Sequence, residues 1–219
     1  GAPSGALGAE FPGLIVPFVV DVRDATAMRA AAGEFLAAHG TPDIVYANAG
    51  ISTGTLTEHA ADAEVFREVI ETNLLGILHT LAPFVVPMRA ARRGTLAGIA
   101  SVAGLRGLPG AGAYSASKAA AIAYLESLRI EERVHGIRVV TVCPGYVATA
   151  LTAGNPYRMP FLLDADDAAR RIARVTEQGR ARVIVPWQMA LVGAAMKVMP
   201  DALWDRLLSG AKRKPRRLA

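Results

Sequence analysis

An alternation constrains this chain more than any other feature. Short apolar runs of strand length recur along it, each followed by a stretch with helical spacing, and each run stops at a polar or turn-forming residue. The runs are 14–20 (LIVPFVV), 43–47 (DIVYA), 95–101 (TLAGIAS), 137–143 (IRVVTVC) and 182–185 (RVIV). They are apolar at successive positions, as strands covered on both faces must be. Between the first two, Met28, Ala32, Phe35 and Leu36 recur at helical spacing, with Asp24 placed to cap the helix and Gly40 to stop it. Residues 62–92 form a longer helical stretch with a stripe from Val65 to Leu81, which Pro83 and Pro87 are expected to bend or divide. Helices are expected from near Tyr114 and over 164–178. Strands alternating with helices imply an α/β doubly wound parallel sheet in three layers, α/β/α. Such sheets hold ligands beyond the carboxyl ends of their strands, where Asp21, Asn48, Ser101 and Pro144-Gly145 fall.

Charge and composition exclude several functions. The net charge of +5 over 219 residues is supplied by the end of the chain, where Lys212, Arg213, Lys214, Arg216 and Arg217 cluster. The rest is neutral, which argues against a groove that tracks nucleic-acid phosphates. The single cysteine, Cys143, excludes an intrachain disulfide, suits a reducing compartment and reads as a buried small hydrophobe. His39, His59, His79 and His135 are too dispersed to suggest a metal site. No apolar run is expected to be long enough to cross a bilayer.

We divide the chain into one α/β domain over 1–186 and an apolar helical extension with a basic tail over 187–219. The extension reads as a helix pair over a cleft or a subunit interface. Its apolar residues followed by a basic run also allow peripheral contact with an anionic membrane surface.

Tyr114 and Lys118 are four residues apart at a helix start and share a face. A free phenol has a pKa of about 10. A neighbouring ammonium lowers it, so that the tyrosine can exchange a proton with a carbonyl or alcohol oxygen. Ser101 ends a buried strand on the same rim, where its hydroxyl can hydrogen-bond an oxygen on which charge develops.

Asn48-Ala49-Gly50 after a strand, Asn73 in the long helix, Ser101, Tyr114-Ser-Ala-Ser-Lys118 and Pro144-Gly145-Tyr-Val-Ala-Thr149 stand in a shared order and spacing. In this the chain resembles the short-chain dehydrogenase/reductases from Asp21 to Pro186. The resemblance implies a Rossmann-like fold and an oxidoreductase that moves hydride between NAD or NADP and a carbonyl or secondary alcohol of an apolar small molecule. It makes Tyr114 the general acid/base and Ser101 the anchor of the substrate oxygen. Lys118 becomes both the tuner of Tyr114 and a ligand of the nicotinamide ribose. Asn73 would hold a water in a proton relay. Asn48, Ala49, Gly50 and Asp21 would lie along the cofactor, Asp21 at the adenine. Val147 and Thr149, with Pro144 and Gly145, would meet the nicotinamide and diphosphate. A cytoplasmic homodimer or homotetramer is implied as well.

The chain also departs from that pattern. A Gly-x-x-x-Gly-x-Gly loop belongs between the first strand and helix, and GAPSGALG at residues 1–8 does not reproduce it. The run 14–20 instead resembles the family's third strand. In the family's order 3-2-1-4-5-6-7, strands 2 and 1 separate it from the fourth, the run 43–47. We therefore expect a gap of about two strand spacings of 4.8 Å between 14–20 and 43–47, and an N-terminally incomplete sheet. The alternative function is a scaffold that keeps these residues but binds no dinucleotide.

Overall fold

Leu96, Ala97, Val139, Val140, Val142 and Cys143 are all at most 2% exposed, so the two strands that carry them are covered on both faces. In the computed structural model, which describes Phe11 and residues 13–216, these are β2 (Thr95–Ile99) and β3 (Arg138–Pro144). β1 (Ile44–Ala47) and β4 (Arg182–Val185) flank them in a parallel sheet of order β1-β2-β3-β4. The edge strands are less completely buried, as strands with a single neighbour are. Gly98 in β2 explains how closely one helix approaches: a Cβ there would lie 2.4 Å from Leu125 Cδ1. That helix, α4 (Gly112–Arg133), contributes Ala121, Leu125 and Leu128 to the core beside β1, β2 and β3.

The remaining helices follow the alternation. Asp24 caps α1 (Ala25–His39), accepting from the backbone N–H groups of Thr26 and Ala27, and Gly40 ends it at a φ of 73°. α2 (Asp62–Ile70), a π-helical turn (Glu71–Leu75) and α3 (Gly76–Ala91) form one continuous stretch. Pro83 and Pro87, expected to bend or divide the stretch, lie inside α3 without dividing it. Ile77, Leu81 and Met88 are buried in the core along the same helix and hold it in place. The irregularity falls instead at the π turn. This 30-residue stretch also corrects the expectation about bilayer-length runs, since it has the length, and within it an 18-residue window with the mean hydropathy of 1.5, sufficient to cross a membrane. Val65, Val69, Asn73, Ile77, Leu81 and Met88 are buried along one side of it, and 28% of the apolar window is buried inside the protein.

The expected strand 14–20 does not form. Among the described residues it pairs with nothing, and neither fills nor neighbours the edge at β1. Leu14, Val16 and Val19 are exposed, Val19 completely. Pro17, in the middle of the run, has no N–H to give a ladder. GAPSGALG lies outside the described residues.

After α5 (Ala165–Glu177) and β4, α6 (Trp187–Val198) and α7 (Asp201–Leu208) pack on the body. Met189, Met196, Val192 and Trp204 cluster with Val102, Leu105 and Leu108. The basic tail is not a free arm: Lys214 and Arg216 are both bonded to the body.

Two substitutions test this packing by urea denaturation. Leu125→Ala is expected to lower the unfolding free energy by about 3 kcal/mol, the cost of a core cavity. Gly33→Ala is expected to raise it by about 0.5–1 kcal/mol, because Gly33 lies inside α1 and a Cβ there meets nothing within 4 Å.

Candidate active site

The site is assembled where β2 ends. Ser101 follows the strand and caps the 3-10 turn Val102–Gly104, its hydroxyl accepting from Ala103 N at 3.1 Å. Gly104 seats that turn on α4: a Cβ there would come 2.6 Å from the carbonyl carbon of Lys118, so a side chain would push the two apart. At the other end, Thr55 bridges Ala111, and its hydroxyl accepts from Ala113 N at 3.3 Å, holding the start of α4. Tyr114 and Lys118 follow on one face of the first turns, and the Ser101 hydroxyl lies near enough to that of Tyr114 to lower its pKa.

Lys118 is 3% exposed, and its Nζ donates to the Ile99 carbonyl at 2.7 Å. Burial lowers its pKa to about 8. Nζ stands 5.8 Å from the centre of the Tyr114 ring. Burial also pushes the Tyr114 phenol above its ordinary range, only partly offset by the Ser101 hydroxyl. The sequence reading expects the ammonium to lower this pKa. Here desolvation outweighs it, and Lys118 is turned to a backbone carbonyl.

Asn73 lies in the π turn with no exposed surface. Its Oδ1 accepts from Ile51 N at 2.8 Å, and its Nδ2 donates to Ile51 O at 2.9 Å and Ser117 Oγ at 3.0 Å. Ser117 Oγ donates in turn to Tyr114 O at 2.8 Å. The amide therefore clamps the loop after β1 to α4, and a polar residue inside an apolar helix is fully partnered. Asn48, Ala49 and Gly50 lead into that clamp. A Cβ on Gly50 would lie 3.3 Å from Asn73 Oδ1 and 3.5 Å from Lys118 Nζ, so this loop comes against both.

At the end of β3, Gly145 N donates to Val185 O at 2.8 Å, and a Cβ on Gly145 would meet Met189 Cγ at 2.7 Å. Beyond Pro144-Gly145, Thr152 Oγ1 donates to Val147 O at 2.6 Å and accepts from Thr149 N at 3.2 Å, curling the loop. Asp21 stands apart from this group. Its carboxylate takes the Arg23 guanidinium at 2.7–3.1 Å, which holds its pKa at about 2. His79 Nδ1 donates to Val22 O at 2.9 Å and pins that turn to α3.

Four residues take places that the sequence reading did not give them, Tyr157 having been read only as an apolar residue of the loop shaping the substrate pocket. Tyr146 and Tyr157 have ring centres 6.3 Å apart, and Tyr157 is close enough to Tyr114 for the two phenols to influence each other. Tyr146 lies inside the quoted Pro-Gly motif, which is the one signal that could have marked it. Ser117 is inside the Tyr114–Lys118 motif, but its use by Asn73 depends on a contact 44 residues away. Lys214 lay in a segment read as a basic tail able to contact an anionic membrane surface.

Residues 5–158 match the family model of the short chain dehydrogenases. The chain belongs to this family. It is 39% identical over 191 residues to an uncharacterized oxidoreductase of Myxococcus xanthus (strain DK1622), covering 87% of this chain and 75% of that one. It is 38% identical over 136 residues to the 3-oxoacyl-(acyl-carrier-protein) reductase FabG of Chlamydia muridarum, covering 62% of this chain, but spans only 54% of that relative. Its fold superposes with a TM-score of 0.79 on a short chain dehydrogenase of Burkholderia cenocepacia J2315 solved with NADP, at 24% identity, over 90% of this chain and 82% of that one. As a short-chain dehydrogenase it is an NAD(P)-dependent oxidoreductase acting on CH–OH and C=O groups. The residues present fit the nicotinamide ribose end of such a cofactor. Lys118 Nζ has N–H donors beyond the one engaged by Ile99, and it faces the cradle that a side chain on Gly50 would fill.

Burial of Lys118 makes a stability prediction. The cost of an ammonium in the folded state is full below about pH 8 and is relieved as the pH rises towards the ordinary value of 10.5, so stability contributed by this group rises through that window. Lys118→Met is therefore expected to raise the Tm of the cofactor-free protein near neutral pH. The advantage should shrink towards pH 10.5, as followed by thermal unfolding across the range.

Proposed function

We propose that the chain reduces a carbonyl group on an apolar small molecule, or oxidises the matching secondary alcohol, with Tyr114 as the proton-transferring group. The placing of the Tyr114 phenol beside Ser101 at the carboxyl end of β2, with Lys118 Nζ buried 5.8 Å from its ring centre, carries this reading. When bound, NAD or NADP supplies or accepts the hydride.

The chain's own groups do the rest. The Tyr114 phenol is protonated at neutral pH, and burial shifts it further from ionisation, so it is present as a donor to a carbonyl oxygen that is becoming an alkoxide. Ser101 offers a second hydrogen bond to that oxygen and so holds the substrate against Tyr114. Lys118 stays cationic below about pH 8, stabilises negative charge developing on the phenol and holds the ribose. Asn73 keeps the loop 48–51 and α4 in register, and a water relay through it would use the remaining lone pair of Oδ1. Pro144, Gly145, Val147 and Thr149 would flank the nicotinamide and diphosphate, and Asp21 the adenine. Tyr146 and Tyr157 make the neighbouring wall aromatic, in keeping with an apolar substrate.

A cytoplasmic homodimer or homotetramer goes with this reading. Membrane contact through the tail has less behind it, because Lys214 and Arg216 are bonded to the body. Fluorescence titration with NADH and NADPH separates the enzyme from a scaffold that binds no dinucleotide.

Tyr114→Phe removes only a hydroxyl. It is expected to lower kcat by about 100-fold or more with an unchanged circular dichroism spectrum, measured as NAD(P)H consumption with a panel of carbonyls. Near-normal turnover would remove Tyr114 from the chemistry.

A further inference from the structure

The segment that follows α7 returns to the catalytic end of the sheet. Gly54 N donates to Pro215 O at 2.9 Å, and a Cβ on Gly54 would lie 2.2 Å from Lys214 O, so only glycine admits the strap at this point. Gly110, on the loop leading to Tyr114, lies against the Arg213 side chain. Arg216 grips the buried Asp62 carboxylate with Nε at 2.7 Å and Nη2 at 2.9 Å, while Leu56 N donates to the same carboxylate at 2.7 Å. This clasp holds the Asp62 pKa at about 2 and fixes the end of the strap.

Lys214 is the residue the clasp positions. Its Nζ donates to Ser52 Oγ at 2.9 Å and to Leu151 O at 3.2 Å. Ser52 lies on the loop leaving β1 and Leu151 on the loop leaving β3. β2, which leads into Ser101, runs between those two strands. The ammonium thus bridges the loops on either side of the Ser101–Tyr114 pair.

It is also partly desolvated, and among the described residues no carboxylate forms an ion pair with it, whereas Arg216 has Asp62. An ammonium has three donors, and two are engaged. Holding a cation away from water without a counter-charge is unfavourable, and an anionic group on a bound molecule would relieve it. The nearby wall of Tyr146 and Tyr157 is aromatic, so the anion has to sit at one end of an otherwise apolar molecule.

We propose that Lys214 is a specificity-determining residue that receives a carboxylate of the substrate, making oxo acids and hydroxy acids with an apolar body the preferred substrates. The proposal rests on the carbonyl-reductase reading above. In it, the substrate oxygen lies at Ser101 and Tyr114 while the carboxylate reaches the strap.

The test uses the full chain with NADH or NADPH and a panel of medium-chain and cyclic oxo carboxylates, each beside its methyl ester. The wild type is expected to favour acids over esters by about tenfold in kcat/KM, the size of one charge-assisted hydrogen bond, with the difference in KM. Lys214→Met should bring the acids down to the level of the esters and leave the esters unchanged. Equal use of acids and esters by the wild type overturns the proposal, as does a Lys214→Met variant that slows both alike. Consumption of esters that depends on Tyr114 supports the carbonyl-reductase reading whatever Lys214 does. Should neither acids nor esters be consumed, that reading fails, and thermal shifts by the same pairs decide for Lys214: stabilisation by acids alone, lost in Lys214→Met, sustains its role, and equal shifts end it.

Discussion

Asn73 is completely buried, and its side-chain amide is bonded through both its oxygen and its nitrogen. An amide taken out of water is tolerated only when its polar atoms are partnered, so this one dictates its surroundings. The backbone of Ile51 must present both its N–H and its C=O, and Ser117 must turn its hydroxyl inward. The helix has to widen to a π turn over Glu71–Leu75, where the amide leaves it. The loop after β1, the long helix and the start of α4 are thereby tied at one point, and Gly50, Tyr114 and Lys118 lie within one or a few residues of the tie.

Burial then decides the electrostatics of the site. Tyr114 and Lys118 are both withdrawn from water, and desolvation moves their pKa values in opposite directions, up for the phenol and down for the ammonium. Each group is pushed towards its neutral form. The hydroxyl of Ser101 and the carbonyl of Ile99 are the polar contacts that oppose or accommodate this. The upward shift of Tyr114 follows from the enclosure of α4 by β2, β3 and the 3-10 turn rather than from a neighbouring charge.

The extension after β4 completes the enclosure from the outside. α6 brings Met189 under Gly145, and α7 brings Trp204 to the 105–108 loop, where its indole donates to Gly107 O at 3.2 Å and Arg106 lies over its ring. The strap then crosses to Asp62, so the loops leaving β1, β2 and β3 all touch C-terminal residues. Of the basic residues concentrated near the end of the chain, Lys214 and Arg216 are thus engaged by the body.

Periodicity and spacing were enough to locate four of the five expected strands, the capping of α1 by Asp24 and the convergence of Ser101, Tyr114 and Lys118, because these depend on short-range pattern and on which ends of parallel strands share an edge. The run 14–20 misled, since apolar composition marks a segment that could pair but cannot supply a partner or restore the N–H missing at Pro17. The π turn, the carbonyl that takes Lys118, the Tyr146–Tyr157 wall and the return of Lys214 across Ser52 and Leu151 were decided only in three dimensions. Each depends on contacts between residues far apart in the chain, and the desolvation that sets the pKa values of Tyr114 and Lys118 exists only once those contacts have closed.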